Sequence, residues 1–132
     1  MVDQVYDIVY LDPPFNQRQY GCNYSLLNYI CYYNPKIKTY GKGGMIKNYN
    51  VSDYSFKHEA KNALQKLLLF VQAKYIILSY SEDGIIAHED IIAMLEKYGP
   101  VKFYPFESPR FNSSVLCSKK IIRECIYFVT RY

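Results

Sequence analysis

The stretch YDIVYLDPPF, residues 6–15, constrains the fold more than any other. Its first six residues are a nearly continuous run of β-branched and aromatic side chains, the pattern of a parallel strand covered on both faces. Two prolines follow, and proline cannot extend a strand because it lacks an N–H donor and fixes φ. The strand therefore runs into a rigid turn with a carboxylate, Asp12, at its lip.

Further along, the chain alternates. SLLNYICYY (25–33) sets Leu26, Leu27, Ile30 and Cys31 at helical spacing, with Ser25 as its cap. Residues 34–50 hold Pro35, Gly41, Gly43, Gly44 and several lysines without an apolar period, which predicts a basic loop. A helix is predicted over 56–72, its stripe formed by Ala60, Ala63, Leu64, Leu67, Leu68 and Val71, with Ser55 or Asp53 as cap. KYIILSY (74–80) reads as a second buried strand, and 89–99 as a short helix stopped by Gly99-Pro100. VKFYPF (101–106) and 121–131 read as an antiparallel pair flanking a polar loop at 107–120. His58 and His88 fall at helix starts and are expected to face solvent.

Strands alternating with helices predict an α/β sheet, and the closing hairpin would place an antiparallel strand at one edge. A length of 132 residues suits one domain with a single core. The apolar runs are too short to cross a bilayer, and no signal peptide is visible, so the chain reads as cytoplasmic. Cys22, Cys31, Cys117 and Cys125 show no C-x-x-C spacing, which favours buried or half-buried thiols over a metal site or disulfides. The net charge of +4 permits a polyanionic partner without demanding one. Sixteen tyrosines suit half-buried strands, and they also suit stacking on nucleic-acid bases.

The chemistry that fits Asp-Pro-Pro-aromatic at the carboxyl end of a strand is methyl transfer to an exocyclic amine. Such an amine is a poor nucleophile because its lone pair is conjugated into the ring. A carboxylate accepting one N–H and a proline carbonyl accepting the other draw the nitrogen toward sp³ geometry and free that lone pair. A rigid turn fixes both acceptors. An aromatic ring in the fourth place can stack on the base, which must first leave its duplex.

DPPFNQRQY followed by NYSLLNYI resembles the DNA adenine-N6 methyltransferases of the DNA adenine methylase (Dam-like) group. The likeness continues through YGKGG, KYIILSYSEDGII and ESPRFNSS, so it spans essentially the whole chain. It implies part of a Rossmann-like, S-adenosylmethionine-dependent methyltransferase fold acting on double-stranded DNA, with no metal and no membrane. It also implies that Asp12 accepts the adenine amino proton beside the cofactor's methyl group, that Pro13 offers its carbonyl, and that Pro14 keeps the turn rigid. Phe15 would stack on the flipped adenine, and Asn16, Arg18 and Tyr20 would shape the pocket or touch DNA. Lys36, Lys38, Lys42 and Lys47 are either phosphate contacts or a solvated surface. SYSEDG (79–84) would be a pocket wall, while Ser25 stands where the group often has His.

The group's glycine-bearing cofactor segment and its target-recognition region precede the DPP motif, yet Met1 lies only eleven residues before Asp12. The sequence thus resembles the C-terminal half of such an enzyme, inactive alone. The first strand would then be an exposed edge, able to pair with a separately encoded N-terminal half or with a second copy. The alternatives are a non-catalytic remnant or DNA-binding fragment, and a methyltransferase for another exocyclic amine.

Overall fold

A computed structural model describes residues 5–33, 36–109 and 121–132. Its centre is a four-stranded sheet in the order β1-β4-β6-β5, where β1 is Tyr6–Leu11, β4 is Ala73–Ser81, β5 is Val101–Pro109 and β6 is Ile121–Thr130. Strands β1 and β4 run parallel, with Ile8 opposite Tyr75 and Leu11 opposite Leu78. Strand β6 is antiparallel to both β4 and β5. The predicted hairpin is therefore present, but its antiparallel strand lies inside the sheet. Its partner β5 forms the edge, because the connection after β4 carries the chain past that strand before β6 turns back into the gap.

Helices α3 (Ala60–Phe70) and α4 (His88–Leu95) lie against one face. Leu64 and Leu68 of α3 and Ile91 and Leu95 of α4 are fully buried with Ile76, Leu78, Tyr127 and Val129 of the strands. Burying each such side chain contributes about 2 kcal/mol. Lys61 and Asp90 join the two helices across 2.8 Å on the solvent side.

The opposite face carries no helix among the described residues, which corrects the expectation that β1 is covered on both faces. Pleat alternation puts Ile8, Tyr10, Tyr75, Ile77, Ile126, Phe128, Tyr104 and Phe106 there. Ile8 and Tyr10 are each 58% exposed, and Tyr104 and Phe106 are exposed as well. Tyr75 and Phe128 stack at 5.6 Å. An apolar run reads the same whether its second face is buried or bare, so sequence pattern cannot separate the two.

Other expectations shift locally. Helix α3 begins at Ala60, after a 3-10 turn at Asp53–Ser55, and neither Asp53 nor Ser55 caps it. The Ser55 hydroxyl donates to the Arg18 carbonyl at 3.2 Å instead. Helix α4 ends at Leu95, short of Gly99, because Tyr98 N donates back to Leu95 O in a tighter turn. His88 does not face solvent. Its Nδ1 lies 2.7 Å from the Tyr127 hydroxyl and its ring packs on Phe103. Burial pushes the Tyr127 phenol far up, so it stays protonated beside His88.

The basic loop contains a two-stranded hairpin, β2 (Thr39–Tyr40) with β3 (Met45–Ile46), turned by Gly41 at φ 70° and Gly44 at φ 62°. Helix α1 is Tyr20–Asn23 and α2 is Ser25–Tyr32. Ser25 is buried inside α2 rather than capping it, and Leu26, Leu27, Ile30 and Cys31 face outward. Among the other cysteines Cys125 is buried and Cys22 half-buried, while Cys117 lies outside the described residues. Glu107, Ser108 and Pro109 extend β5, and 110–120 of the predicted loop, with most of ESPRFNSS, also lie outside them.

Candidate active site at the carboxyl ends of β1 and β4

Strand β1 ends on Leu11, buried opposite Leu78, and the chain turns at once. Asp12 is exposed, Pro13 is buried, and Pro14, Phe15 and Asn16 are half-buried. The Phe15 carbonyl accepts a hydrogen bond from Ile85 N at 2.9 Å, which fastens this turn to the loop after β4. The Phe15 ring packs on the core from above. Asn16 Oδ1 accepts from Arg18 N at 3.0 Å, closing a local turn.

The loop after β4 is itself held tightly. Gly84 N donates to Ser81 O at 2.9 Å, and Ile86 N donates to the buried Tyr80 hydroxyl at 3.2 Å. A Cβ on Gly84 would meet the Tyr80 ring at 2.3 Å, so only glycine lets the loop fold down over that ring. The loop that follows SYSEDG is thus joined to the DPPF turn at Ile85.

Sequence reasoning missed Glu124, on β6 directly opposite Ser81. Burial raises its carboxyl pKa, the negative charge of Asp12 raises it further, and Asp83 adds to the effect. Ser81 Oγ is near enough to temper that rise, yet it is buried without a hydrogen bond of good geometry. The available signal was one acid, next to Arg123, at the start of the largely apolar run of β6. Burial, then Asp12 and Tyr24, likewise raise the Tyr20 phenol, so Tyr20 belongs to the same neighbourhood.

Arg18 and Tyr20 are exposed on the segment leading away from the turn. Lys42 sits apart, at the tip of the β2–β3 hairpin. Among the described residues no cluster of three His, Cys, Asp or Glu is arranged to hold a metal ion. No described helix is long and apolar enough to cross a membrane.

The site is a strand-end turn with an exposed carboxylate, two prolines and a packed aromatic ring, and relatives carry sequence like that around it. M.CviAII, a type II methyltransferase of Paramecium bursaria Chlorella virus 1, is 33% identical over 123 residues, covering 93% of this chain and 37% of the relative. M.NlaIII of Neisseria lactamica, also a type II methyltransferase, is 36% identical over 110 residues, covering 81% of this chain and 31% of the relative.

This chain is homologous to part of the type II DNA methyltransferases.

M.FokI of Planomicrobium okeanokoites extends the match to 99% of the chain, at 33% identity and 21% of the relative's length. The chain thus spans about a third or less of these methyltransferases. No family model and no solved structure matches it.

Proposed function

We propose that this chain carries the methyl-acceptor site of a DNA methyltransferase that modifies the N6 amine of adenine. One observation supports this most: Asp12 is exposed at the mouth of a turn that the Phe15–Ile85 hydrogen bond holds rigid, in a chain homologous to DNA methyltransferases. Asp12 accepts one amino proton and the Pro13 carbonyl the other, which raises the nucleophilicity of the nitrogen. Pro14 limits the turn's freedom, and the half-buried Phe15 is the ring that stacks on a flipped base. Fixed acceptors of this kind contribute about 3 kcal/mol to lowering a barrier.

S-adenosylmethionine, when bound, supplies an electrophilic methyl group on a sulfonium. The residues present fit the cationic end of such a group. Asp12, Asp83 and Glu124 make the mouth electronegative, and the buried Ser81 hydroxyl lies beside Glu124. Asp12 and Ser81 are the residues here that would face it.

The same reading gives the bare sheet face an occupant, namely the remainder of a Rossmann-like catalytic domain. A parallel strand adds beyond β1, whose outer edge pairs with no described strand, and helices cover Ile8, Tyr10, Tyr104 and Phe106. The share of the relatives that this chain does not span is ample for such elements. That remainder would hold most of the cofactor and read most of the DNA sequence.

Calorimetric titration with S-adenosylmethionine tests the reading, first on this chain and then on the chain joined to the unmatched part of a relative. Binding by the joined protein alone supports it. Tight binding by the isolated chain contradicts the division of the cofactor site.

A further inference from the structure

Beside the acceptor site lies a second recess, which the chemistry above does not use. It is a cleft of about 440 Å³ between α1, α2 and the segment after β3. Its walls present three amides, Asn28, Asn48 and Asn50, and three phenols, Tyr20, Tyr32 and Tyr49. Among the described residues no carboxylate or ammonium lines it. An asparagine amide offers a donor and an acceptor side by side, the pairing that reads a base edge. Tyrosine rings stack on any base. Lys47, beside Asn48 in sequence, and Lys42 on the hairpin turn are exposed, as phosphate contacts must be.

The cleft is also fixed in place relative to Asp12. Gln19 Nε2 donates to Ser52 O at 3.1 Å, and Ser52 N donates to Gln19 Oε1 at 2.8 Å. This paired bond ties the cleft's far wall to the segment following the DPPF turn. Ser55 Oγ adds its bond to the Arg18 carbonyl. Gly21 lets the backbones touch, since a Cβ there would meet Asn50 O at 2.5 Å. Tyr20 belongs to both places, lining the cleft and sensing the charge of Asp12. A ligand seated in the cleft is therefore held in register with the acceptor site.

We infer that this cleft takes a second nucleobase of the DNA, next to the one being modified, and so contributes to sequence preference. The inference rests on the proposed DNA-methyltransferase reading and adds a base-reading role to a segment that the sequence suggested only as a basic loop. An adenosine cofactor fits less well, because none of the described lining residues is a carboxylate for ribose hydroxyls.

The test is an NMR titration of the isotope-labelled full chain with dAMP, dCMP, dGMP and dTMP in turn, following the Asn28, Asn48 and Asn50 side-chain amides. The expected result is movement of these signals with about tenfold preference for one base over the poorest. Asn48→Ala should abolish that movement and leave the rest of the spectrum in place. Asp12→Ala should spare it, which separates failure of this inference from failure of the methyl-acceptor reading. Absence of movement with all four nucleotides overturns the inference. Equal movement with inorganic phosphate alone, or signals confined to Asp12 and Phe15, also overturns it.

Discussion

Ile85 N donates to the Phe15 carbonyl at 2.9 Å, and through this bond the loop after β4 governs the turn after β1. Ile85→Pro deletes the donor and leaves a half-buried carbonyl unpaired. The expected cost is about 1–3 kcal/mol in a urea melt. Faster hydrogen exchange over 15–20 should accompany it, with the amides of α3 largely protected. Uniform loss of protection would show that the bond merely supports the whole fold.

Glu124 should titrate under the influence of the Asp12 charge. Glu124 has its carboxyl pKa raised above the ordinary 4.5 by burial and by the charge of Asp12. The folded state thus binds this proton more tightly than the unfolded chain does. Its stabilising contribution is full below 4.5 and is lost as pH rises through the raised folded value. Glu124→Gln should flatten the decline of stability in that window. Asp12→Asn should lower the Glu124 pKa, read from its side-chain carboxyl carbon shift; an unchanged value would place the two carboxylates apart.

Tyr127 should act as donor to His88. Its phenol stays protonated, and in the expected arrangement it donates to His88 Nδ1 and leaves the ring proton on Nε2. Nitrogen chemical shifts of the ring report that tautomer directly. Tyr127→Phe should cost about 1 kcal/mol or somewhat more, because it leaves a half-buried ring nitrogen unpaired.

The bare sheet face should make the isolated chain associate. Ile8 and Phe106 stand near its two edges, and each is about half exposed or more. Replacing both with Glu should shift sedimentation toward the monomer without changing the melting midpoint by more than about 1 kcal/mol in stability. Association that persists unchanged would assign it to another surface, such as the outward stripe of α2.

How far the sequence foretold this structure depends on where its signals came from. The α3 stripe was readable because Ala60, Leu64 and Leu68 recur at helical spacing and do lie buried. Strands β1 and β4 were readable from their β-branched runs, and Asp12 from the prolines behind it. The bare face was not readable, since Tyr10 and Ile77 are apolar whether or not a helix covers them. His88 was misplaced because its partner Tyr127 is 39 residues away. Gln19 was passed over for the same reason: its amide pairs with Ser52 across a gap of 33 residues, and no local pattern records that.

The most direct measurement of the central claim uses a chimera in which this chain replaces the matched segment of the Chlorella virus relative. DNA incubated with it and S-adenosylmethionine is digested to nucleosides and analysed by mass spectrometry. The account predicts N6-methyl-2′-deoxyadenosine, lost on Asp12→Ala while cofactor binding largely survives. A folded, cofactor-binding chimera that methylates only cytosine, or methylates nothing, would contradict it.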